Sequence, residues 1–335
     1  MSLRDVTLAA IAEVARSLRG RRGTALLSAA AMLVPSTGQA VAADGTVEVA
    51  PHEWLRVIDI GGGEPVVLLP GAMGTAFVFR RLAPQLADSG YRVLSVEPLG
   101  MGDSSRPDGA DYSLTAQADR VAALLDVLGV PRVVVVGHAL GASIALRMAC
   151  RHADRVAAVI SLDGGPAESA ASPSLRRALK FAPLLKLFGG TRRLRKGVRD
   201  ALMTNSADPA WVTPEAVEGY LGPAARDLDA TIAGYRRIAR AREPESLRDR
   251  LADVRCPVLL LVGRAPHESG IRPEEVALLA VRLRRFERWD VSDAGHFIAE
   301  EAPGAVVAAV AHVLASAQAE AAPSAALGKR DAALR

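Results

Sequence analysis

The sequence is poor in cysteine and aromatic residues, and each shortage narrows the kinds of protein that it can encode. Its 335 residues include only two cysteines, Cys150 and Cys256, so neither a disulfide framework nor a His/Cys cluster with metal-ligand spacing is indicated. Aromatic residues make up 4% of the chain, too few to alternate with its basic residues as a nucleic-acid surface requires. We therefore predict no metal, no cofactor and no nucleic-acid partner.

Lysine is also scarce, because the positive charge is carried almost wholly by arginine. The formal net charge is +4, and many of the arginines are concentrated in residues 176–199. A cluster of this kind is typical of a solvated helical face. Half of the residues are hydrophobic, which indicates a folded chain with a full core.

The two ends of the chain lack the composition of a folded core. Within residues 1–45, the basic stretch "RGRRG" precedes the apolar run "TALLSAAAMLV", and a small-residue site follows near Ala42. This order is typical of a secretory signal peptide and predicts export to the periplasm or the exterior, without a stable membrane span in the mature protein. Two alternatives stay open: an uncleaved anchor, and a plain extension of a cytoplasmic protein. Residues 318–335 are alanine-rich and predict a flexible tail.

Short strands alternate with helices from residue 46 onwards. Four stretches, "PVVLLPG", "RVVVVGH", "VAAVISLDGG" and "PVLLLVG", are continuous apolar strands. Strands of this kind, separated by amphipathic stretches such as "TAQADRVAALLDVLGV", predict an α/β protein whose parallel sheet is covered on both faces. Ligand sites of such sheets lie at the carboxyl ends of the strands. Functional residues are therefore expected in the loops that follow the strands.

One long insertion interrupts this alternation. Residues 166–250 contain no apolar strand and break into short helical segments at glycine and proline. We interpret them as a helical cap over the strand ends, inserted into a core formed by residues 46–165 and 251–317. Phe181 and Leu184 of the cap are candidates for lining an apolar pocket, with ordinary cap core as the alternative.

Four of the loops that follow predicted strands are rich in glycine and carry candidate functional residues. They are "PGAMG" at 70–74, "EPLGMGDS" at 97–104, "GHALG" at 137–141 and "DAGHF" at 293–297. Glycine lets the backbone turn sharply, so that a free N–H group can point towards the top of the sheet.

This ordered set of loops resembles the α/β-hydrolase superfamily over roughly residues 50–316. The resemblance implies an α/β-hydrolase fold, with a mostly parallel eight-stranded sheet flanked by helices and a helical cap. The family carries its nucleophilic serine in G-x-S-x-G on a strained strand-to-helix turn, with an oxyanion hole made by two backbone N–H groups. Carried onto this chain, the turn is 137–141, the nucleophile position is Ala139, and the two N–H groups belong to Leu140 and Ala72.

The resemblance also implies a catalytic base and a choice between two acids. His296, in "DAGHF", matches the base. The loop after the penultimate strand holds no carboxylate at the usual place, so Asp163 is the first candidate for the acid and Glu268 the second. The core residues predicted to line the substrate pocket are His138, Met73 and Phe297.

Ala139 stands where the family has its serine, so this chain lacks the nucleophilic atom. The resemblance is to serine esterases and lipases, which implies a small apolar or ester-like molecule as the ligand. Losing such a serine costs about 10⁶ in turnover in a well-studied protease, so ester hydrolysis is expected to be absent or very weak. Three explanations stay open: a serine replaced in order to trap a ligand, a natural non-catalytic binding protein, and a reaction that needs only His296 and the oxyanion hole.

A nucleotide-binding function would need a glycine-rich turn between a strand and a helix. The glycine-rich stretch "DIGGGEP" at 59–65 precedes a strand instead. It therefore lacks the arrangement of the dinucleotide-binding fingerprint.

Overall fold

The structure is a computed structural model that describes residues 43–171, 175–177, 179–180 and 190–321. The predicted signal segment up to residue 42, the pocket candidates Phe181 and Leu184, and the tail from residue 322 lie outside the described residues. In the part of the chain that is described, no helix is long and apolar enough to cross a membrane.

Eight strands form one sheet. They are β1 (Ala43–Ala50), β2 (Glu53–Gly61), β3 (Glu64–Leu69), β4 (Tyr91–Glu97), β5 (Val133–His138), β6 (Val156–Leu162), β7 (Val258–Gly263) and β8 (Phe286–Val291). Their order across the sheet is β1-β2-β4-β3-β5-β6-β7-β8. Strand β2 pairs antiparallel with β1 and β4, and the remaining neighbours pair in parallel. The mostly parallel, eight-stranded sheet predicted from the sequence is confirmed.

Helices connect these strands and cover the sheet. Those of the core are α1 (Leu82–Asp88), α2 (Leu114–Val127), α3 (Leu140–Arg151), α8 (Pro273–Arg282), α9 (Ile298–Glu301) and α10 (Pro303–Ala321). Between β6 and β7 lie α4 (Gly190–Thr204), α5 (Pro214–Arg226), α6 (Leu228–Arg240) and α7 (Leu247–Arg250). All four lie within the predicted cap, residues 166–250, and α4, α5 and α6 are its longer helices.

Each central strand is buried on both faces. In β3, Val66 and Leu68 belong to one apolar cluster, whereas Val67 and Leu69 belong to another. Successive side chains of a strand point to opposite faces, so a strand that is apolar throughout needs cover on both sides. Helices α1 and α10 contribute to the first cluster, and α2 and α3 contribute to the second.

The cap helices have defined ends and a small apolar core of their own. Thr213 and Asp227 cap the N-termini of α5 and α6 by accepting backbone N–H groups of the first turn. The buried cap residues Leu202, Val217 and Leu221 pack together. Because Gly222 adopts a non-helical conformation, α5 is kinked there and continues to Arg226.

The structure departs from the sequence-based boundaries at three places. Strand β1 begins at Ala43, inside the predicted extension, and α10 reaches Ala321, inside the predicted tail. The single helix predicted for "FVFRRLAPQLADSG" is divided into a 3₁₀ turn at Ala76–Phe79 and helix α1. Pro84 explains the division, because a continuous helix would need its missing N–H and would bring its ring against the carbonyl of Arg80.

Candidate active site

The turn between β5 and α3 holds Ala139 in a conformation that alanine rarely adopts. Its φ is 48° and its ψ is −109°. A residue with a side chain in such a sparsely populated region costs about 1–3 kcal/mol, and it persists only where its surroundings enforce it. The strained turn therefore persists in this chain although its tip carries only a methyl group.

Glycines without room for a side chain enforce this turn. A Cβ on Gly141 would overlap the carbonyl oxygen of Leu69 and would lie 2.8 Å from its carbonyl carbon. A Cβ on Gly164 would overlap the carbonyl of Ala139 and lie 2.6 Å from the Cβ of Ala142. The neighbouring strands thus approach the turn closely enough to fix its path.

The loop after β3 lies directly against Ala139. A Cβ on Gly71 would be 3.2 Å from the Cβ of Ala139. The Gly74 N–H donates to the Gly71 carbonyl at 3.0 Å, and this turn leaves Ala72 and Met73 exposed. Met73 is 44% exposed and therefore lies at the protein surface, and its place in a substrate pocket stays a prediction.

The two N–H groups predicted to form an oxyanion hole belong to segments that adjoin Ala139. Leu140 is the first residue of α3, where a backbone N–H has no acceptor within the helix. Ala72 follows the glycine that packs on Ala139. Both segments therefore lie beside the methyl group of Ala139, and their role as an oxyanion hole stays a prediction.

Asp163 and His296 form a hydrogen-bonded pair close to the turn. Asp163 follows β6 with a positive φ of 52° and is only 2% exposed. Its Oδ2 accepts a hydrogen bond from His296 Nδ1 at 2.7 Å. With the proton on Nδ1, the lone pair of the neutral ring is on Nε2, which is the nitrogen a general base would use.

Of the two acid candidates, only Asp163 contacts His296. Glu268 is exposed, and its backbone N–H donates to the side-chain oxygen of Asn205 at 3.0 Å. The loop after β7 turns towards Asp163 through His267, which leaves the neighbouring Glu268 side chain on the outside.

His267 is a site residue that the sequence analysis missed. Its Nε2 lies 2.9 Å from Asp163 Oδ2, and its Nδ1 lies 2.7 Å from the carbonyl oxygen of Ala265. Its ring centroid is 5.9 Å from that of His296. The available signal was its position in the loop after an apolar strand, the same loop in which an acid was sought.

Two of the predicted pocket residues pack against His296. The Nε2–H of His138 donates to the His296 carbonyl at 3.0 Å, and burial together with the neighbouring His296 lowers the pKa of His138 to about 3. Phe297 packs against the cap residues Trp211 and Tyr220, with ring centroids 5.6 Å and 6.0 Å away. His138 therefore supports the base as a neutral ring, and Phe297 joins the core to the cap.

The cap also holds the backbone of the base loop. The Asn205 carbonyl accepts the His296 N–H at 2.8 Å, and the Asn205 side-chain oxygen accepts the Ser269 N–H at 2.8 Å. The carboxylate of Glu301 accepts N–H groups of Gly295 at 2.8 Å and of residue 207 in the cap at 2.6 Å. These bonds fix the loops of both histidines relative to the end of α4.

A buried carboxylate, Glu300, lies beside the aromatic contact between core and cap. It forms an ion pair with Arg80 and accepts a hydrogen bond from the Tyr220 hydroxyl at 3.1 Å, while Arg81 donates to its backbone carbonyl at 2.8 Å. Its second oxygen is buried without a hydrogen-bond partner among the described residues. Burial outweighs the attraction of both arginines and raises the pKa of Glu300 to about 7.

The raised pKa of Glu300 predicts a defined pH dependence of stability. Between its unfolded pKa of about 4.5 and its folded pKa of about 7, the folded chain binds a proton that the unfolded chain does not. The contribution of Glu300 to the free energy of unfolding therefore decreases as the pH rises through this window. Glutamine cannot titrate. The free energy of unfolding of the parent minus that of Glu300→Gln should therefore decrease by on the order of 3 kcal/mol from about pH 4.5 to about pH 8.

Urea unfolding of both chains across this pH range measures that difference. Glu274→Gln, the same substitution at an exposed position of α8, is the control. A difference that stays constant with pH would mean that Glu300 remains ionised in the folded chain.

Comparisons with known proteins agree with this architecture. A family model described as the alpha/beta hydrolase fold matches residues 64–210. Epoxide hydrolase A of Mycobacterium tuberculosis is 30% identical over 305 residues, which cover 78% of this chain and 94% of the relative. The AB hydrolase superfamily protein YisY of Bacillus subtilis is 29% identical, over 75% of this chain and 91% of its own. The structure of a putative epoxide hydrolase from Pseudomonas aeruginosa superimposes with a TM-score of 0.65 at 28% identity, covering 83% of this chain and 96% of that one.

The relatives refine the expectation drawn from the sequence. The sequence motifs predicted a resemblance to serine esterases and lipases, whereas epoxide hydrolases recur among the similar proteins. The match to the mycobacterial relative extends over nearly its whole length. On this evidence the chain belongs to the α/β-hydrolase family.

Proposed function

We propose that this protein binds a small, apolar, epoxide- or ester-like molecule above Ala139 and hydrolyses it very weakly or not at all. The observation that supports this most is the combination of an intact His296–Asp163 pair with a methyl group at the tip of the strained turn. The polar groups for holding a ligand are present, and the atom that would attack it is absent.

The ligand class follows from the groups around Ala139. N–H groups of Leu140 and Ala72 suit one partly negative oxygen, such as an ester carbonyl or an epoxide oxygen. Phe297 is partly exposed and packs beside His296, so we assign it to the apolar part of the molecule. The names of several relatives bring epoxides into this class, beside the esters indicated by the G-x-S-x-G-like turn.

The expected weakness of the reaction follows from the role of the missing atom. A nucleophile on the turn divides hydrolysis into two easier steps through a covalent intermediate. Without it, an enzyme of this kind keeps a rate roughly 10³–10⁴-fold above that of the reaction in water. The oxyanion hole and ligand binding provide this remaining acceleration.

A second candidate function is slow hydrolysis by water that His296 activates directly. The hydrogen bond from His296 Nδ1 to Asp163 supports it, because that bond leaves Nε2 as the basic nitrogen and stabilises the protonated ring. This function needs no side chain at position 139.

Binding and turnover measured side by side test the proposal. Styrene oxide and p-nitrophenyl butyrate represent the two ligand classes, and calorimetry on the folded parent should detect binding of at least one. Turnover of the parent should equal that of His296→Ala, with the surface variant His312→Gln as control. Absence of binding across both classes contradicts the proposal. Turnover that His296→Ala abolishes supports the second candidate instead.

A further inference from the structure

We propose that Asp163, His267 and His296 form a site for a divalent transition-metal ion such as Zn²⁺. The Oδ2 of Asp163 lies 2.7 Å from His296 Nδ1 and 2.9 Å from His267 Nε2. The three potential ligand atoms all lie within 4.8 Å of one another. They come from three separate loops, so the fold rather than local sequence brings them together.

The hydrogen bonds of His267 place its Nε2 against the carboxylate of Asp163. Its Nδ1 lies 2.7 Å from the Ala265 carbonyl, which can only accept, so Nδ1 carries a hydrogen. In a neutral ring, Nε2 then has a lone pair that faces the Asp163 oxygen at 2.9 Å. Two lone pairs at this distance repel each other unless a proton or a metal ion lies beside them.

The carboxylate of Asp163 has capacity for such an ion. Its second oxygen, Oδ1, is buried and has no hydrogen-bond partner among the described residues. A buried carboxylate with an unsatisfied oxygen is costly, and coordination is one way to compensate it.

The backbone of Gly270 borders a space beside these atoms. A Cβ on Gly270 would lie 2.7 Å from Asp163 Oδ2, 2.7 Å from His267 Nε2 and 3.0 Å from Asp163 Oδ1. Because Gly270 has no side chain, a space remains beside both the Asp163 carboxylate and the His267 imidazole. Residues 268–270 are exposed, so this position adjoins the protein surface.

Two imidazoles and one carboxylate select the kind of ion. This ligand set suits zinc and other first-row transition ions, whereas magnesium and calcium prefer oxygen ligands alone. Ligand atoms about 2.0–2.1 Å from a tetrahedral zinc ion lie about 3.3 Å apart. The observed separations of 2.7 Å and 2.9 Å therefore need to widen by roughly half an ångström.

Binding would also move protons in a defined way. The ion takes the Nδ1 lone pair of His296, so that the neutral ring carries its proton on Nε2. It takes the Nε2 lone pair of His267, and a proton held there is released to solvent.

Titration of the chelator-treated full chain with Zn²⁺ and with Co²⁺ tests the site. Calorimetry should give one ion per chain, and Co²⁺ should show visible absorption bands typical of nitrogen and oxygen ligands. His267→Gln should weaken binding at least about 100-fold, because it removes one of three ligands. The control is His312→Gln, which removes a histidine paired with the surface carboxylate of Glu287 and should bind as the parent does.

The glutamine variant keeps a polar side chain beside Asp163, and circular dichroism verifies that it is folded. His296→Gln is the second ligand variant, in case the first unfolds. A folded parent that binds neither ion, or a folded His267→Gln that binds as tightly as the parent, overturns the proposal. A bound ion would occupy the His296 Nδ1 that the proposed function leaves bonded to Asp163, so the turnover assays are made on the chelator-treated chain, and their outcome and that of the metal titration are read separately.

Discussion

Replacing Ala139 by serine should produce hydrolysis of short acyl esters at least about a thousandfold above the parent chain. The backbone of the turn already has φ 48° and ψ −109°, so the new hydroxyl group needs no rearrangement of the fold. His296 has its Nδ1 bonded to Asp163 and therefore has Nε2 to accept the serine proton. The expected gain is large because the nucleophile normally contributes about 10⁶ to turnover in such a site.

The controls separate the effect of the hydroxyl group on activity from the effect of the backbone strain at position 139. Ala139→Gly relieves the positive φ without adding a nucleophile, and it should stay inactive. The double variant Ala139→Ser, His296→Ala should lose the gain. Ala139→Asp tests epoxides, because a carboxylate can open the strained ring without first losing a proton. A folded Ala139→Ser chain no more active than the parent on esters would mean that His296 is not positioned to activate the serine.

Gly141→Ala should destabilise the folded chain by about 3 kcal/mol or more. The added Cβ would overlap the Leu69 carbonyl oxygen and would lie 2.9 Å from the Pro70 carbonyl oxygen. Both atoms belong to the backbone at the end of β3, which cannot rotate away as a side chain can. Helix α3 would have to move off the sheet, and contacts of the apolar cluster beneath it would be lost.

Gly304→Ala is the matched control for that substitution. Gly304 is exposed near the start of α10, and a Cβ there would have no heavy atom within 4 Å. Alanine is favoured over glycine in a helix by up to about 1 kcal/mol, so this variant should be as stable as the parent or slightly more stable. Chemical unfolding of both variants measures the contrast, and equal stability would show that the turn tolerates a side chain at 141.

The parts of the fold that depend on local pattern could be predicted from the sequence. The continuous apolar strands β3, β5, β6 and β7 follow directly from their buried runs, since both faces of the sheet are covered. Pro84 shows the limit of such patterns, because the apolar spacing of residues 77–90 continues across a position where the helical hydrogen bonds cannot.

The site was less predictable, because its members lie far apart in the sequence. Ala139, His296 and the choice of acids followed from glycine-rich loops at strand ends. The contact between His267 and Asp163 joins residues 104 positions apart and depends on the path of the loop after β7. Asn205 reaches the base loop through its backbone carbonyl, a group that every residue possesses, so no sequence pattern could single it out.

Asn205 and Glu301 connect the cap to the loop that carries His296 through hydrogen bonds. A ligand that enters by lifting the end of α4 must break the Asn205 bond to the His296 N–H, and with it the bond to the Ser269 N–H. These bonds hold the backbone that carries His296, whereas the His296–Asp163 bond itself joins two side chains of the core. The position of the cap is therefore coupled to the position of the His296 backbone.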